Sequence, residues 1–268
     1  MEQFIVSARK YRPQDFSTVV GQAHITTTLR NAIRNNQLAH AFLFCGPRGV
    51  GKTTCARILA KTINCENLDA QGEACNNCPS CVSFNNGSSM NIHELDAASN
   101  NSVDDIRALT DQVRFAPQAG RYKVYIIDEV HMLSSAAFNA FLKTLEEPPP
   151  HVIFVLATTE AHKMLPTILS RCQRFDLRRI DAGLLADHLR KICEKEKVEI
   201  EPEALAKRVR SAVAEVVKKQ ADAGVDLVGA RRTQTCTAGA LEASAADVTA
   251  TLKQRQLQPK PQPDTLDL

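Results

Sequence analysis

The chain has 268 residues, 44% of them apolar, no Trp, and a formal net charge of +3. That length holds one sizeable α/β domain with a smaller one beside it, and no apolar run approaches the roughly 20 residues of a membrane span. The opening MEQFIVSARKYRP lacks the apolar core of a signal peptide, so a cytoplasmic protein is expected, in which nine cysteines call for a reason other than disulfides.

Taken in chain order, Ile25, Leu29 and Ile33 mark one face of a helix. Ala41–Cys45 is a short, wholly apolar run that reads as a buried parallel strand. It runs into Gly46-Pro47-Arg48-Gly49-Val50-Gly51-Lys52-Thr53, followed by Thr54, which matches the phosphate-loop pattern at every fixed position. Glycines let backbone N–H groups curl round phosphates at a helix N-terminus. Lys52 is expected to reach the β- and γ-phosphates of ATP, and Thr53 to hold Mg²⁺. The other reading, an accidental Gly-rich turn, does not explain the strand before and the helical pattern after.

Cys65, Cys75, Cys78 and Cys81 then supply four thiols within 17 positions, enough to close a tetrahedral Zn²⁺ site with no open ligand position. The metal is therefore expected to be structural, in a small knuckle inserted between the loop's helix and the next strand. Cys45, Cys55, Cys172, Cys193 and Cys236 stand singly and read as small core hydrophobes.

Ile92–Leu95 and Val124–Ile127 are further strand candidates, with a helix between them carrying Val103, Ile106 and Val113 behind Ser102 as N-cap. The second strand runs straight into Asp128-Glu129. At the C-terminal end of a parallel strand these carboxylates lie where ligands bind, Asp128 to orient Mg²⁺ through water and Glu129 to polarise the attacking water. A solvated acidic turn is the alternative. A carboxylate that recruits water favours hydrolysis over phosphoryl transfer to another acceptor.

Phe138, Phe141, Leu142 and Leu145 mark the next helix, stopped by Pro148-Pro149-Pro150. Val152–Ala157 leads into Thr158-Thr159-Glu160, whose hydroxyls are candidates to sense the γ-phosphate. Gln173–Leu177 is a weaker fifth strand. Helical patterns follow from Asp181, with Leu184, Leu185, His188, Leu189 and Ile192 on one face, and from Glu203 to about Lys218. Beyond Ala221 the periodicity fades, and 241–268 has the composition of a flexible tail. Strands alternating with helices imply a parallel sheet covered on both faces.

These motifs together resemble the ATPase core of the bacterial DNA polymerase III gamma/tau family. The resemblance rests on Ala8-Arg-Lys-Tyr-Arg-Pro13, Val19-Val-Gly-Gln22, the phosphate loop, the four cysteines and Glu94-Leu-Asp-Ala-Ala-Ser99. It continues through Val124-Tyr-Ile-Ile-Asp-Glu-Val-His-Met-Leu133, Leu142-Lys-Thr-Leu-Glu-Glu-Pro-Pro149, Ala157-Thr-Thr159 and Ile168-Leu-Ser-Arg-Cys172, and it covers residues 1 to about 180. It implies an AAA+ P-loop NTPase fold over 1–178 with a zinc-binding insertion at 64–82. A small helical lid-like region at 179–240 would follow. Ala8, Arg12, Pro13 and Val20 would line the adenine pocket, with Thr158 near the nucleotide and Thr159 among the catalytic residues. Arg171 would be an arginine finger for a neighbouring subunit.

The function implied is that of the ATP-hydrolysing motor of a clamp loader in DNA replication. Its partners would be delta and delta-prime subunits in a pentamer, the sliding clamp and primed DNA. As a holoenzyme subunit it falls under DNA-directed DNA polymerase, although nothing in the chain resembles a polymerase active site.

The last third departs from the family. Its Gly-Ser-x-Arg-Asp-Ala-Leu sensor stretch has no counterpart here, though Arg231 or Arg232 could stand in, and the collar domain is missing. The chain thus reads as a fragment, a divergent relative or a frame-shifted product. Two other functions stay open: an ATP-binding module without turnover, and a different AAA+ motor on nucleic acid.

Overall fold

A computed structural model describes residues 10–117 and 120–198, residues 201, 204–205, 207–209 and 211–212, and the backbone of 235–236. Ala8, Arg231, Arg232 and the 241–268 tail lie outside these residues, as does most of the expected helix from Glu203 to Lys218.

Five strands form one parallel sheet: β1 (Ala41–Cys45), β2 (Ile92–Asp96), β3 (Lys123–Asp128), β4 (Val152–Thr158) and β5 (Gln173–Asp176). Their spatial order is β2-β3-β4-β1-β5. Every residue of β1 and β4 is buried, which is why these runs are apolar without alternation: helices cover both faces of the sheet. Phe42 and Phe44 point to one face, and Ala41, Leu43 and Cys45 to the other. On the first face pack α1 (Ala23–Arg34) and α2 (Lys52–Ile63), with Ile25, Leu29, Ile33, Ile58 and Leu59 in the core. On the second pack α4 (Val103–Val113) and α5 (Ser135–Glu146), through Ile106, Leu109, Phe138 and Phe141. Each such fully buried side chain contributes about 1.5–3 kcal/mol of hydrophobic stabilisation. β2 is an edge strand, and only Ile92 of it is buried.

Local chemistry sets the element ends. Ser102 caps α4 in a reciprocal box with Asp105, satisfying two otherwise orphaned N–H groups. Short α3 (Pro79–Asn85) starts at Cys78, whose sulfur accepts the Cys81 N–H.

After α6 (Pro166–Leu169) and β5 comes β6 (Ile180–Asp181), antiparallel to β7 (Thr235–Cys236), a pairing with no sequence signal. Then α7 (Ala182–Lys195) begins, capped by Asp181. Ile180, Leu185, Leu205 and Val209 form a small separate core, against which Val20 packs. The structure departs from the sequence reading in two details here. Leu184, expected on the buried face, is 50% exposed, because one narrow stripe suffices for a helix that packs on so small a cluster. Cys172 and Cys193 are only half-buried, unlike Cys45 and Cys55; Cys172 packs at the periphery of the second core face. The side chain of Cys236 lies outside the described residues.

Candidate nucleotide-binding site

Parallel strands bring their C-terminal ends to one sheet edge, and most of the expected site residues collect there. Gly46 continues directly from β1. It is held by its N–H donating to the Thr158 carbonyl at the end of β4 (3.2 Å), so two strands anchor the loop. Gly46, Gly49 and Gly51 have φ of 151°, 73° and 99°, values L side chains rarely adopt. A Cβ on Gly46 would come within 2.7 Å of the Leu177 carbonyl.

Gly51 precedes α2, whose first residue, Lys52, is 6% exposed. Its ammonium donates to the Gly46 and Pro47 carbonyls (3.0 and 2.9 Å). Burial pushes its pKa below the usual lysine value, and the nearby Glu129 and Asp128 carboxylates oppose that shift. A buried cation so placed, held by two loop carbonyls, suits an anionic group and not a neutral one.

The Thr53 hydroxyl donates to Asp128 Oδ2 at 2.5 Å, spanning from α2 to the end of β3. A hydroxyl and a carboxylate so paired form the hard-oxygen donor set that suits Mg²⁺. Glu129 follows at φ 46°, a left-handed conformation uncommon outside Gly, and its N–H donates to Asp128 Oδ1 (2.9 Å). Its carboxylate accepts the Thr159 hydroxyl (2.9 Å) and N–H (3.3 Å) on Oε2. Arg48, 85% exposed along its side chain, comes within 3.9 Å of the other oxygen.

Thr158 is placed differently from Thr159. Its hydroxyl accepts the Glu160 N–H (3.0 Å) and lies 3.0 Å from His131 Nδ1. That imidazole is itself 3.4 Å from Glu129 Oε2 and, through Nε2, 3.7 Å from Glu160 Oε1.

Of the expected adenine-side residues, Arg12 donates from Nε to Thr54 Oγ1 (3.3 Å) at the start of α2. Pro13 follows it in the same extended segment, while Val20 sits at the small core formed with α7.

Arg171 is not part of this assembly. It precedes β5 and therefore lies at the opposite, N-terminal edge of the sheet, roughly 16 Å of strand away. There its guanidinium donates to the Thr167 carbonyl (2.5 Å) and pairs with Glu146 (2.8 Å).

The four cysteines are also remote from the phosphate loop, at the far end of α2, which is about 18 Å long. Their sulfurs all lie within 4.8 Å of one another, and a tetrahedron of ~2.3 Å Zn–S bonds has edges of about 3.8 Å. Backbone N–H groups already point at them: Cys75 to Cys65 Sγ and Cys78 to Cys75 Sγ (both 3.3 Å), and Cys81 to Cys78 Sγ (3.5 Å). The Asn77 and Cys78 amides hold the Cys75 thiol down at about 6, whereas burial pushes those of Cys65 and Cys81 up. The donor set and its amide shell fit Zn²⁺.

Two residues at this site, Gln22 and His131, and two beside the cysteines, Lys61 and Glu73, have no role assigned from sequence. Gln22 is fully buried and bridges the loop to the segment after β5, donating to the Arg178 and Val50 carbonyls and accepting the Arg178 N–H. His131 and Gln22 both sat inside motifs already singled out. Lys61 and Glu73 carry no sequence signal, and both lie by the cysteines at the far end of α2.

The family model for the DNA polymerase III delta subunit matches residues 21–181. The tau subunit of Bacillus subtilis strain 168 is 52% identical over 217 residues, which are 81% of this chain and 37% of that protein. The tau subunit of Escherichia coli K12 is 49% identical over 207 residues, 77% of this chain and 32% of that one. This chain thus spans only about a third of the length of these relatives, and the 217-residue match extends past residue 180. Among solved structures, the Thermotoga maritima RuvB Holliday junction branch migration motor superposes with a TM-score of 0.56 at 20% identity, covering 89% of this chain and 72% of that one. That likeness is one of fold, the AAA+ fold. Among the described residues no helix is long and apolar enough to cross a membrane.

Proposed function

The chain belongs to the DNA polymerase III tau/gamma family, and on that premise we propose that it is the ATP-hydrolysing motor portion of a clamp loader. The observation that carries this reading is the continuous set of contacts from Thr53 to Asp128, Glu129 and Thr159 at one sheet edge.

In this reading the loop N–H groups from Arg48 to Thr54 cradle the phosphates of ATP, and Lys52 exchanges its two carbonyl partners for β- and γ-phosphate oxygens. Thr53 and Asp128 hold Mg²⁺, which when bound neutralises phosphate charge. Glu129 accepts a proton from the attacking water, and Thr159 fixes its carboxylate for that purpose. Thr158 acts behind them by orienting His131. Arg12, Pro13 and Val20 flank the base.

Arg171 cannot reach this chain's own nucleotide, which favours a finger acting on a neighbouring subunit. That in turn favours an assembly with delta and delta-prime subunits that opens the sliding clamp and places it on primed DNA. The cysteine knuckle holds Zn²⁺ as a structural ion.

The test is steady-state ATP hydrolysis by the chain, alone and with delta, delta-prime, clamp and primed DNA, with Lys52→Ala and Glu129→Gln as controls. Turnover that rises with the partners and is lost in both variants supports the motor. Nucleotide binding with no turnover in any mixture overturns it.

A further inference from the structure

The last turn of α2 buries a charge. The Lys61 side chain is 1% exposed, and its ammonium donates to Asn76 Oδ1 (2.6 Å) and lies 3.5 Å from Asp15 Oδ1. Asn76 sits inside the knuckle, between Cys75 and Cys78, in the left-handed conformation at φ 60°. Its Nδ2 donates to Asp15 Oδ1 (3.1 Å) and to the Ala74 carbonyl (3.2 Å). A second buried charge, Glu73, belongs to the same inserted segment. Its Oε2 accepts the Phe16 N–H and its Oε1 the Ser17 N–H, both at 2.9 Å, and Arg30 approaches to 3.5 Å.

Buried charges are costly unless paired and hydrogen-bonded, and these two serve one stretch, Asp15 to Ser17. That stretch continues the segment of Arg12 and Pro13. The segment is tied elsewhere by Arg12 to Thr54 at the start of α2, and by Lys10 and Tyr11 to Glu196 just after α7 (2.7 and 2.5 Å). The knuckle is its third fastening and the one that comprises two buried charges. The fastening depends on the turn at Asn76, which the Cys75 sulfur closes by accepting the Cys78 N–H (3.3 Å). Drawing four thiolates onto one ion fixes such a turn, and releasing the ion frees it.

We propose that the metal knuckle is a clamp on this segment. Glu73, Asn76 and Lys61 are positioning residues that hold Arg12 and Pro13 against the base of ATP, so that metal loading sets the base-dependent part of nucleotide affinity. The proposal rests on the reading of Arg12 and Pro13 as base-side residues.

It is tested on the full metal-loaded chain by comparing equilibrium affinities for ATP and for inorganic tripolyphosphate, which has no base, alongside hydrogen exchange of the Phe16 and Ser17 amides. Glu73→Ala, and chelation of the wild-type chain, are expected to weaken ATP about tenfold, leave tripolyphosphate unchanged and speed exchange of both amides. Asn76→Gly keeps the left-handed turn available and removes only the side-chain contacts, so it reports on the clamp if Glu73→Ala fails to fold; a several-fold loss confined to ATP is expected. Equal losses for ATP and tripolyphosphate, or an unchanged preference for ATP with unchanged exchange, overturn the clamp. A wild-type chain without any preference for ATP over tripolyphosphate instead overturns the base-site reading itself, and the affinity claim with it.

Discussion

Thr159 gives both its hydroxyl and its backbone N–H to the same carboxylate oxygen of Glu129, at 2.9 and 3.3 Å. Glu129 is thereby held at the end of β3 in a left-handed conformation that its own sequence neighbours do not favour. Strain maintained by surrounding contacts at a candidate site is a mark of preorganisation. Replacing Glu129 by Gln is expected to lower ATP turnover by about 10²–10⁴-fold while ATP still binds. Thr159→Val, which removes the hydroxyl and keeps the shape, is expected to lower turnover by about tenfold with little change in KM. Single-turnover measurements check both, and equal rates for Thr159→Val and wild type would exclude an orienting role.

Gly46 is the position where the loop tolerates least. A Cβ there meets the Leu177 carbonyl at 2.7 Å, and φ is 151°. Backbone cannot give way as a flexible side chain does, so Gly46→Ala is expected to cost roughly 1–3 kcal/mol and to abolish nucleotide binding. Thermal melting with and without ATP reads both effects. A variant with wild-type melting and an intact ATP-induced shift would show that the loop re-forms around the methyl group.

Metal removal should be visible at the knuckle before it is visible in activity. With four sulfurs within 4.8 Å, chelation is expected to release one Zn²⁺ per chain and make Cys65, Cys75, Cys78 and Cys81 reactive to a thiol reagent. A loss of about 2–3 kcal/mol would accompany it, lowering Tm by roughly 5–10 °C. Metal analysis that finds no zinc in freshly purified protein, with all four thiols already reactive, refutes the assignment.

Arg171 separates catalysis in the isolated chain from catalysis in an assembly. Its ion pair with Glu146 is partly exposed, 34% and 47% along the two side chains, and such pairs contribute at most about 1 kcal/mol. Arg171→Ala is therefore expected to keep its fold and bind ATP as wild type does. When assembled with delta and delta-prime it is expected to lose about 10³-fold or more of the stimulated turnover. Full stimulation of the variant would assign Arg171 a purely structural place on α5 and α6.

Much of this molecule was legible in its residues, because the signals are local. Apolar runs without alternation announced strands buried on both faces, and β1 and β4 are buried throughout. The phosphate loop, Asp128-Glu129 and the four cysteines could be read because chemistry fixes both their residue types and their spacing. Tertiary structure alone decided the rest. Lys61 and Glu73 are unremarkable charges in the sequence, and only the packing of the knuckle on α2 and on residues 15–17 takes them out of water and gives them partners. The β6–β7 pair joins positions more than fifty residues apart, which no local pattern encodes. Likewise, the sequence marks Arg171 as a charge after a helix, but parallel strand direction is what places it at the edge away from the phosphate loop. Residue pattern determines what a segment can form and which chemistry it carries; the long-range docking of segments, which desolvates some charges and leaves others in water, determines which of those groups act together.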